Sequence, residues 1–371
     1  MIMNVGSKQV KIEKRKRTDS PMFQSLLGIG LAFVLVIVVL ALIIALSGRS
    51  PILAFQSIIK GAFGTKNSIA ETLIKAVPLL LAGLGLTICY RTGLSSIGSE
   101  GQIVIGGLMA TVFGVYAGGL PSVVLIPLCL IAGAIGGGIW SGIAGFFKAK
   151  WGVSEVINTI MLNYVATYLV SFLIAGPMQE AAGNYTQSDL LSDNASLPVI
   201  LSGTRMHAGV IIALVGVVVV WLLLWKLPLG YQMRAVGNNP IAARTNGISV
   251  AKNIVLAMFL CGAFAGLAGA IEIMGMHHRL MNGFSSNYGF DSMAVALLGG
   301  LHPIGVTIAA LFFGALRVGA NTMQRTLQVP VSLVNVIQGL VILFVLMQHV
   351  LSNYTIKLID RVGKSKQAKE A

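Results

Sequence analysis

Ile254-Val-Leu-Ala-Met-Phe-Leu-Cys-Gly-Ala-Phe-Ala-Gly-Leu-Ala-Gly-Ala-Ile-Glu-Ile-Met-Gly-Met276 holds a single charged side chain, Glu272, in a run otherwise apolar or small. A helix crossing a hydrocarbon core about 30 Å thick needs about 20 mainly apolar residues, because each residue rises 1.5 Å. This stretch meets that length. Further apolar runs lie near 27–47, 70–90, 102–118, 121–147, 155–176, 208–227, 291–301, 303–320 and 331–350. Hydrophobic residues make up 56% of the 371 positions and charged residues only 10%, whereas a soluble domain carries about a quarter charged residues. The chain is therefore read as an all-α membrane protein, a polytopic bundle of about ten transmembrane helices.

The net charge of +14 raises the question of nucleic acid, but its placement answers it. Most Lys and Arg, including Lys8, Lys11, Lys14, Arg15, Lys16, Arg17, Arg91, Lys148, Lys150, Lys226, Arg234, Arg244, Lys252 and the cluster around Lys364, fall on one side of a single alternating topology. That is the positive-inside bias, so no nucleic-acid partner is expected. The organisation that follows is a basic cytoplasmic tail over 1–25, a transmembrane domain over 26–353 and a second basic cytoplasmic tail over 354–371. The chain is expected to be multi-pass in the plasma or inner membrane, in contact with lipid, with both termini cytoplasmic. The outside segment near 177–207 carries Glu180, Asp189 and Asp193 against one basic residue. The run at 27–47 is long for a signal peptide and no small-residue cleavage site follows it, so it reads as a retained helix. Cys89, Cys129 and Cys261 lack metal or redox spacing and read as buried packing.

Two stretches interrupt the helical pattern. One is Gly299-Gly300-Leu301-His302-Pro303; the other is Gly93-Leu-Ser-Ser-Ile-Gly-Ser-Glu-Gly-Gln102. Gly93-Leu-Ser-Ser-Ile-Gly98 also matches Gly289-Phe-Asp-Ser-Met-Ala294 in pattern, and the two copies open runs that cross in opposite directions. Non-helical backbone at membrane depth survives only inside protein or beside water. Paired interruptions in an inverted repeat point to a solute path. Gly262, Gly266 and Ala270, and Gly133 with Gly137, form small-residue ridges suited to close helix packing.

The polar segment over 228–252 carries a second kind of signal. Within Gly230-Tyr-Gln-Met-Arg-Ala-Val-Gly-Asn-Asn-Pro-Ile-Ala-Ala-Arg-Thr-Asn-Gly247, Asn239 is a good N-cap and Pro240 fits the first helical position. Gly247 supplies a stop, since glycine accepts the left-handed conformation. A short helix is thereby framed, and Ile241, Ala242 and Ala243 beside Arg234 and Arg244 are read as a docking surface. A solvated loop is the plain alternative.

These segments together resemble one family. Gly237-Asn238-Asn239-Pro240 with Ala242, Ala243 and Gly247 is similar to the coupling segment of ABC importer permeases of the simple-sugar, nucleoside and branched-chain amino-acid type. Ile97-Gly98 with Glu100-Gly101-Gln102, the stretch Ser154 to Tyr164, and Phe290 to Gly299 continuing through His302-Pro303 resemble the same family, closest to its purine-nucleoside branch. Ser95-Ser96 departs from that branch, where a Phe-Asn pair is expected. The resemblance implies a permease working with a cytoplasmic ATPase subunit, a second related permease and an extracellular substrate-binding protein, and moving a small-molecule substrate. It also implies no cofactor in this chain, with ATP and magnesium held by the partner ATPase. No GxxxxGK[ST] is present, and Gly61-Ala-Phe-Gly-Thr-Lys66 lacks its spacing. The chain is accordingly not read as an enzyme.

Intramembrane ionisable groups are costly and usually face a cavity or a partner. Ser95, Ser96, Glu100, Gln102, Glu155, Asn158, Asn163 and Asp291 are the candidates for the solute path. Glu155 and Asn158 are read as sharing a helix face, with Asn163 on another. Each has a bland alternative, since Glu155 suits a helix N-terminus and Asn side chains often bridge helices. An ion-coupled secondary transporter is the rival reading, disfavoured because the carboxylates lie mostly at run ends. No metal site is expected at His277 and His278, which lack a third ligand. Alternating access driven through 239–247 is the mechanism these features suggest. Bulky replacement of Gly237 or Ala243 is expected to abolish transport while leaving membrane insertion intact. Solute uptake measured beside immunoblots of the membrane fraction tests this, and normal uptake would remove the docking reading.

Overall fold

A computed structural model describes residues 50–328 continuously, the strand segments 2–5, 8–14 and 354–360, and the isolated helical positions 41, 45, 336 and 339. Apart from those positions, the spans expected at 27–47 and 331–350 lie outside the described residues. The chain divides into a unit of residues 1–54 with 330–371 and a unit of residues 55–329.

In the first unit, β1 (Ile2–Val5), β2 (Lys8–Lys14) and β3 (Tyr354–Asp360) form an antiparallel sheet in the order β1-β2-β3. Lys11 lies opposite Ile2 on one side and Lys357 on the other. The reading of both ends as plain basic tails missed this pairing. Alternation of apolar and polar residues through Val10, Ile12, Ile356 and Leu358 is the period-two signal of strands, and the charge count obscured it.

The second unit is helical. In chain order it contains α1 (Pro51–Phe63, begun in the first unit), α2 (Lys66–Arg91), α3 (Ser99–Tyr116), α4 (Ser122–Trp151), α5 (Glu155–Ala175), α6 (Gly209–Trp225), α7 (Pro228–Asn238), α8 (Pro240–Thr245), α9 (Val250–Glu272), α10 (Tyr288–Leu298) and α11 (Pro303–Leu327). A π turn over Ile273–His277 extends α9. Among the described residues, α2, α4, α5, α9 with its π turn and α11 are long and apolar enough to cross a membrane. The α6–α7 pair, bent by 68°, makes a sixth candidate, and α1 and α10 are shorter apolar helices. The sequence runs match these helices with ends shifted by a few residues. α1 was not foreseen, because Gln56, Ser57 and Lys60 interrupt its apolar pattern.

The centre of the bundle is made where α3, α4 and α9 meet. The two small-residue ridges read separately from the sequence interlock with each other. A Cβ added at Gly266 would lie 2.2 Å from the Gly133 carbonyl oxygen, and one at Gly262 would lie 2.1 Å from that of Gly137. Gly106 of α3 is equally close to Gly266. Such approach places backbone on backbone, where dispersion contact drives association in lipid. Gly266→Leu is expected to destabilise the bundle by more than the ~1–3 kcal/mol of ordinary overpacking, since no side chain is free to yield. Gly142, whose added Cβ would meet only Phe259 at 3.9 Å, is the counter-case: Gly142→Ala should raise stability by up to about 1 kcal/mol through helix propensity. Thermal unfolding in detergent distinguishes the two.

Candidate translocation site

The loop between α2 and α3 turns at Gly93, whose φ of +79° lies in the left-handed region, a conformation open to glycine without steric cost. The following residues run to Ser99 without regular secondary structure, and their backbone groups need partners at this depth. α5 supplies them from one face. The Glu155 carboxylate accepts from Ser95 N at 3.3 Å, the Thr159 hydroxyl from Ile97 N at 3.2 Å, and Asn163 Oδ1 from Gly101 N at 2.8 Å. Asn163 Nδ2 also donates to Ile97 O at 2.9 Å. Lys148 of α4 completes the row, 2.9 Å from the second Glu155 oxygen. Residues 155, 159 and 163 are one helical turn apart, so Glu155 and Asn163 share a face. The assignment of Asn163 to a different face is corrected. Asn158 lies off this row, and its buried Nδ2 has no hydrogen-bond partner.

Glu100, in the first turn of α3, links this interruption to the start of α10. Its carboxylate accepts from Gly289 N at 2.8 Å and from the Ser285 hydroxyl. Both donors stand at the start of α10, where an anion is favoured by the helix dipole. A Cβ at Gly289 would lie 2.2 Å from Glu100 N. The two helix starts matched in sequence therefore meet, and they arrive from opposite ends of the bundle. α3 rises from Arg91 and ends beside the 177–207 segment, where Ser192 N donates to Gly114 O. The chain before α10 comes from that segment, through Ser188 N to Leu280 O and Leu191 N to His278 O, and α10 ends next to Arg91.

Around this meeting point the charges are paired. Asp291 Oδ2 lies 2.6 Å from Arg317 of α11, and Glu272 lies 3.4 Å from Lys75 of α2 and 3.6 Å from His277. Tyr288, 1% exposed, lies near both cations: Arg317 is 4.2 Å and Lys75 5.6 Å from the ring centre. Buried ion pairs repay their desolvation only with good geometry and further hydrogen bonds; Arg317 adds one to Ser286 O at 2.9 Å.

Of the sequence candidates, Ser95, Ser96, Glu100, Glu155 and Asn163 come together at this interruption, and Asp291 stands one turn into the facing helix. Ser96 is fully buried, its hydroxyl accepting from Gly98 N, while Ser95 is exposed. Gln102 instead turns into the α3–α9 contact, beside Cys261. Thr159, Ser285, Gly289, Tyr288, Lys75 and Arg317 were missed. Thr159 was legible as the midpoint of the Glu155–Asn163 spacing, and Lys75 and Arg317 as basic residues inside apolar runs.

At the end of the bundle carrying Arg91, α7 and α8 form a ledge. Asn239 caps α8 by accepting from Ile241 N and Ala242 N at 3.0 and 3.1 Å, Pro240 follows at its first position, and Gly247 at φ +79° closes it. α7, with Pro228 at its start, was not foreseen, because its mixed polar pattern reads as loop. A cleft of about 490 Å³ runs between the two, lined by Tyr231, Gln232, Ala235, Asn238, Asn239 and Ala242 among others. Ile241 is 77% exposed, but Ala243 is buried and packs inward. Gly237 is not on the outer surface of the ledge either: a Cβ there would lie 2.3 Å from Arg91 O and 2.9 Å from Gly93 N. Of the residues read from sequence as a docking surface, Ile241 and Ala242 are exposed, whereas Ala243 is buried and Gly237 lies against the backbone of residues 91–93.

A membrane bundle whose two broken helices meet at buried starts, with a capped ledge at one end, defines a solute permease. Comparison with known proteins agrees. The chain belongs to the family described as branched-chain amino acid transport system / permease component, which matches residues 68–346. It is 38% identical to the guanosine ABC transporter permease protein NupP of Bacillus subtilis over 88% of this chain and 92% of that one. It is 34% identical to the nucleoside ABC transporter permease protein NupB of Lactococcus lactis over 84% and 88%. It is also 38% identical to the glucose ABC transporter permease protein TsgB13 of Haloferax volcanii over 81% and 82%. The protein is thus a permease subunit of an ABC importer, and ATP hydrolysis belongs to a separate subunit.

Replacing Asn163 by Leu leaves Gly101 N and Ile97 O without their partner and should cost about 1–3 kcal/mol for each buried group orphaned, with uptake falling in parallel. Asn158→Leu removes no hydrogen bond and should leave both unchanged. Thermal unfolding and uptake in the same preparations provide the check.

Proposed function

We propose that this permease imports nucleosides by alternating access, with the α7–α8 ledge receiving the ATPase subunit on the cytoplasmic side. The observation that carries the substrate class is the similarity to the guanosine and nucleoside permeases over nearly the whole chain. The glucose permease of Haloferax volcanii is as similar, so a simple sugar is the second reading. Ser95 is the residue of the interrupted loop with an exposed side chain that departs from the purine-nucleoside pattern, which makes it the first position to examine for specificity.

The rest of the assembly follows the permease class: a second related permease beside this one and an extracellular binding protein delivering solute at the 177–207 end. Basic residues at the ledge end, Lys148, Lys150, Lys226, Arg234, Arg244 and Lys252, support its cytoplasmic orientation. The pairing of Asp291 with Arg317 and of Glu272 with Lys75 argues against the ion-coupled rival, since a relay needs carboxylates free to exchange protons or sodium.

Uptake of labelled guanosine, adenosine, glucose and leucine by vesicles of the assembled transporter tests this reading. Guanosine and adenosine should accumulate, cold nucleoside should compete, and glucose should not. Accumulation should survive a protonophore and vanish when the ATPase Walker lysine is replaced. Glucose uptake without nucleoside uptake would move the assignment to sugars, and uptake insensitive to the Walker replacement would overturn it altogether.

A further inference from the structure

At the ledge end, four separate parts of the chain, α2, α6, α7 and the turn between α10 and α11, meet around Arg91 and Trp225. Arg91, the last residue of α2, donates from Nε to Leu301 O at 3.0 Å and from Nη2 to Gly300 O at 3.3 Å. Those carbonyls belong to the turn between α10 and α11, where Gly300 and Leu301 both have positive φ, +63° and +54°. The second is a branched residue in the left-handed region, a conformation that persists only where surroundings hold it. The same guanidinium lies 5.6 Å from the ring of Trp225, the last residue of α6, and Arg234 of α7 lies 6.0 Å from that ring. His302, the cap of α11, meets Trp225 edge-on at 4.9 Å. One residue-pair further, Gly93 and Gly237 touch backbone to backbone, with a Cβ on Gly93 only 3.0 Å from Gly237 Cα.

We propose that Arg91 and Trp225 form a transmission joint through which displacement of the α7–α8 ledge moves both broken helices together. This rests on the reading of that ledge as the ATPase-facing segment. Arg234 and Gly237 are carried by α7. Gly237 bears on Gly93, and so on the loop leading to α3. Arg234 bears on Trp225, and through it on Arg91, whose two hydrogen bonds grip the turn at the base of α10. The first turn of α3, which that loop feeds, and the end of α10 remote from that turn are what meet at Glu100 and Gly289. The joint therefore reaches the meeting point along both paths from a single input. A planar guanidinium is suited to this because it satisfies two adjacent carbonyls while its face stays on an indole; a lysine ammonium is a point charge and cannot do both. Arg91 is a positioning residue: it bears on helices that line the path, and no contact with solute is assigned to it.

The test uses the complete transporter, with ATPase, second permease and binding protein, reconstituted in proteoliposomes. Three quantities are read for Arg91→Ala, Arg91→Lys, Trp225→Ala and Trp225→Phe: ATP hydrolysed per solute imported, ATPase co-purifying with the permease, and cross-linking of the ATPase to a cysteine placed at Ile241. Both Arg91 variants and Trp225→Ala should keep the ATPase bound and hydrolysing within about twofold of wild type while uptake falls about tenfold or more, so that the ratio rises at least about fivefold, an effect on the scale of broken coupling free energies. Trp225→Phe keeps an aromatic face and should restore most of the wild-type ratio. A wild-type ratio in Arg91→Lys, or loss of the ATPase from the Arg91 variants, overturns the joint, the latter by making Arg91 part of the docking surface. Arg91→Lys keeps the charge and stem and so carries the test should Arg91→Ala fail to fold. Absence of the Ile241 cross-link in otherwise unaltered protein would instead refute the ATPase-facing reading on which the joint depends.

Discussion

The Glu100 carboxylate, receiving Gly289 N and the Ser285 hydroxyl, is the constraint around which this bundle is arranged. Two helices begin inside the protein, and each leaves unsatisfied N–H groups at its first turn. In lipid those groups have no water to turn to. Placing the carboxylate of one helix start against Gly289 N of the other satisfies a donor on α10 and gives the anion a favourable dipole in the same step. Glycine at 289 is what permits the approach, since any Cβ there would collide with the Glu100 backbone. The row Glu155, Thr159 and Asn163 then does for the irregular chain entering α3 what water would do for a surface loop.

The paired charges around Tyr288 extend the same logic. Lys75, Glu272, Asp291 and Arg317 come from four different helices, α2, α9, α10 and α11, and each opposite charge is within 3.4 Å of its partner. Such pairs contribute little net stability, because desolvation offsets attraction, but breaking one strands a buried charge. They therefore fix which helices are neighbours more than they deepen the fold. Tight glycine packing between α4 and α9 provides a stiff support behind them, and the broken helices are held to that support by discrete polar contacts. A transporter needs this division, with one body that does not deform and elements that have two arrangements.

The capped ledge shows how far local chemistry can be read directly. Asn239, Pro240 and Gly247 were legible as start and stop because capping depends on residues three or four apart. Which face of α8 looks outward was not legible, and Ala243 and Gly237 proved to face the bundle. The same holds for the polar residues of α5. Their spacing contains the face they share, yet their partner, the backbone of residues 95–101, is some sixty positions away in the chain, and nothing in α5 itself names it. Strand pairing of the terminal segments went unread because their charge outweighed a short alternating pattern.

Apolar run length, charge asymmetry, glycine–proline interruptions and the segments shared with ABC importer permeases were determined by the sequence alone, because lipid imposes length and polarity on each span independently of its neighbours. Tertiary structure decided that the start of α3 meets the start of α10, that Gln102 serves packing while Glu100 serves the junction, and that Arg91 reaches the turn at Gly300 and Leu301. These are contacts between elements far apart in the chain. Their geometry depends on how glycine ridges set the distance between helices, a quantity that no single segment carries.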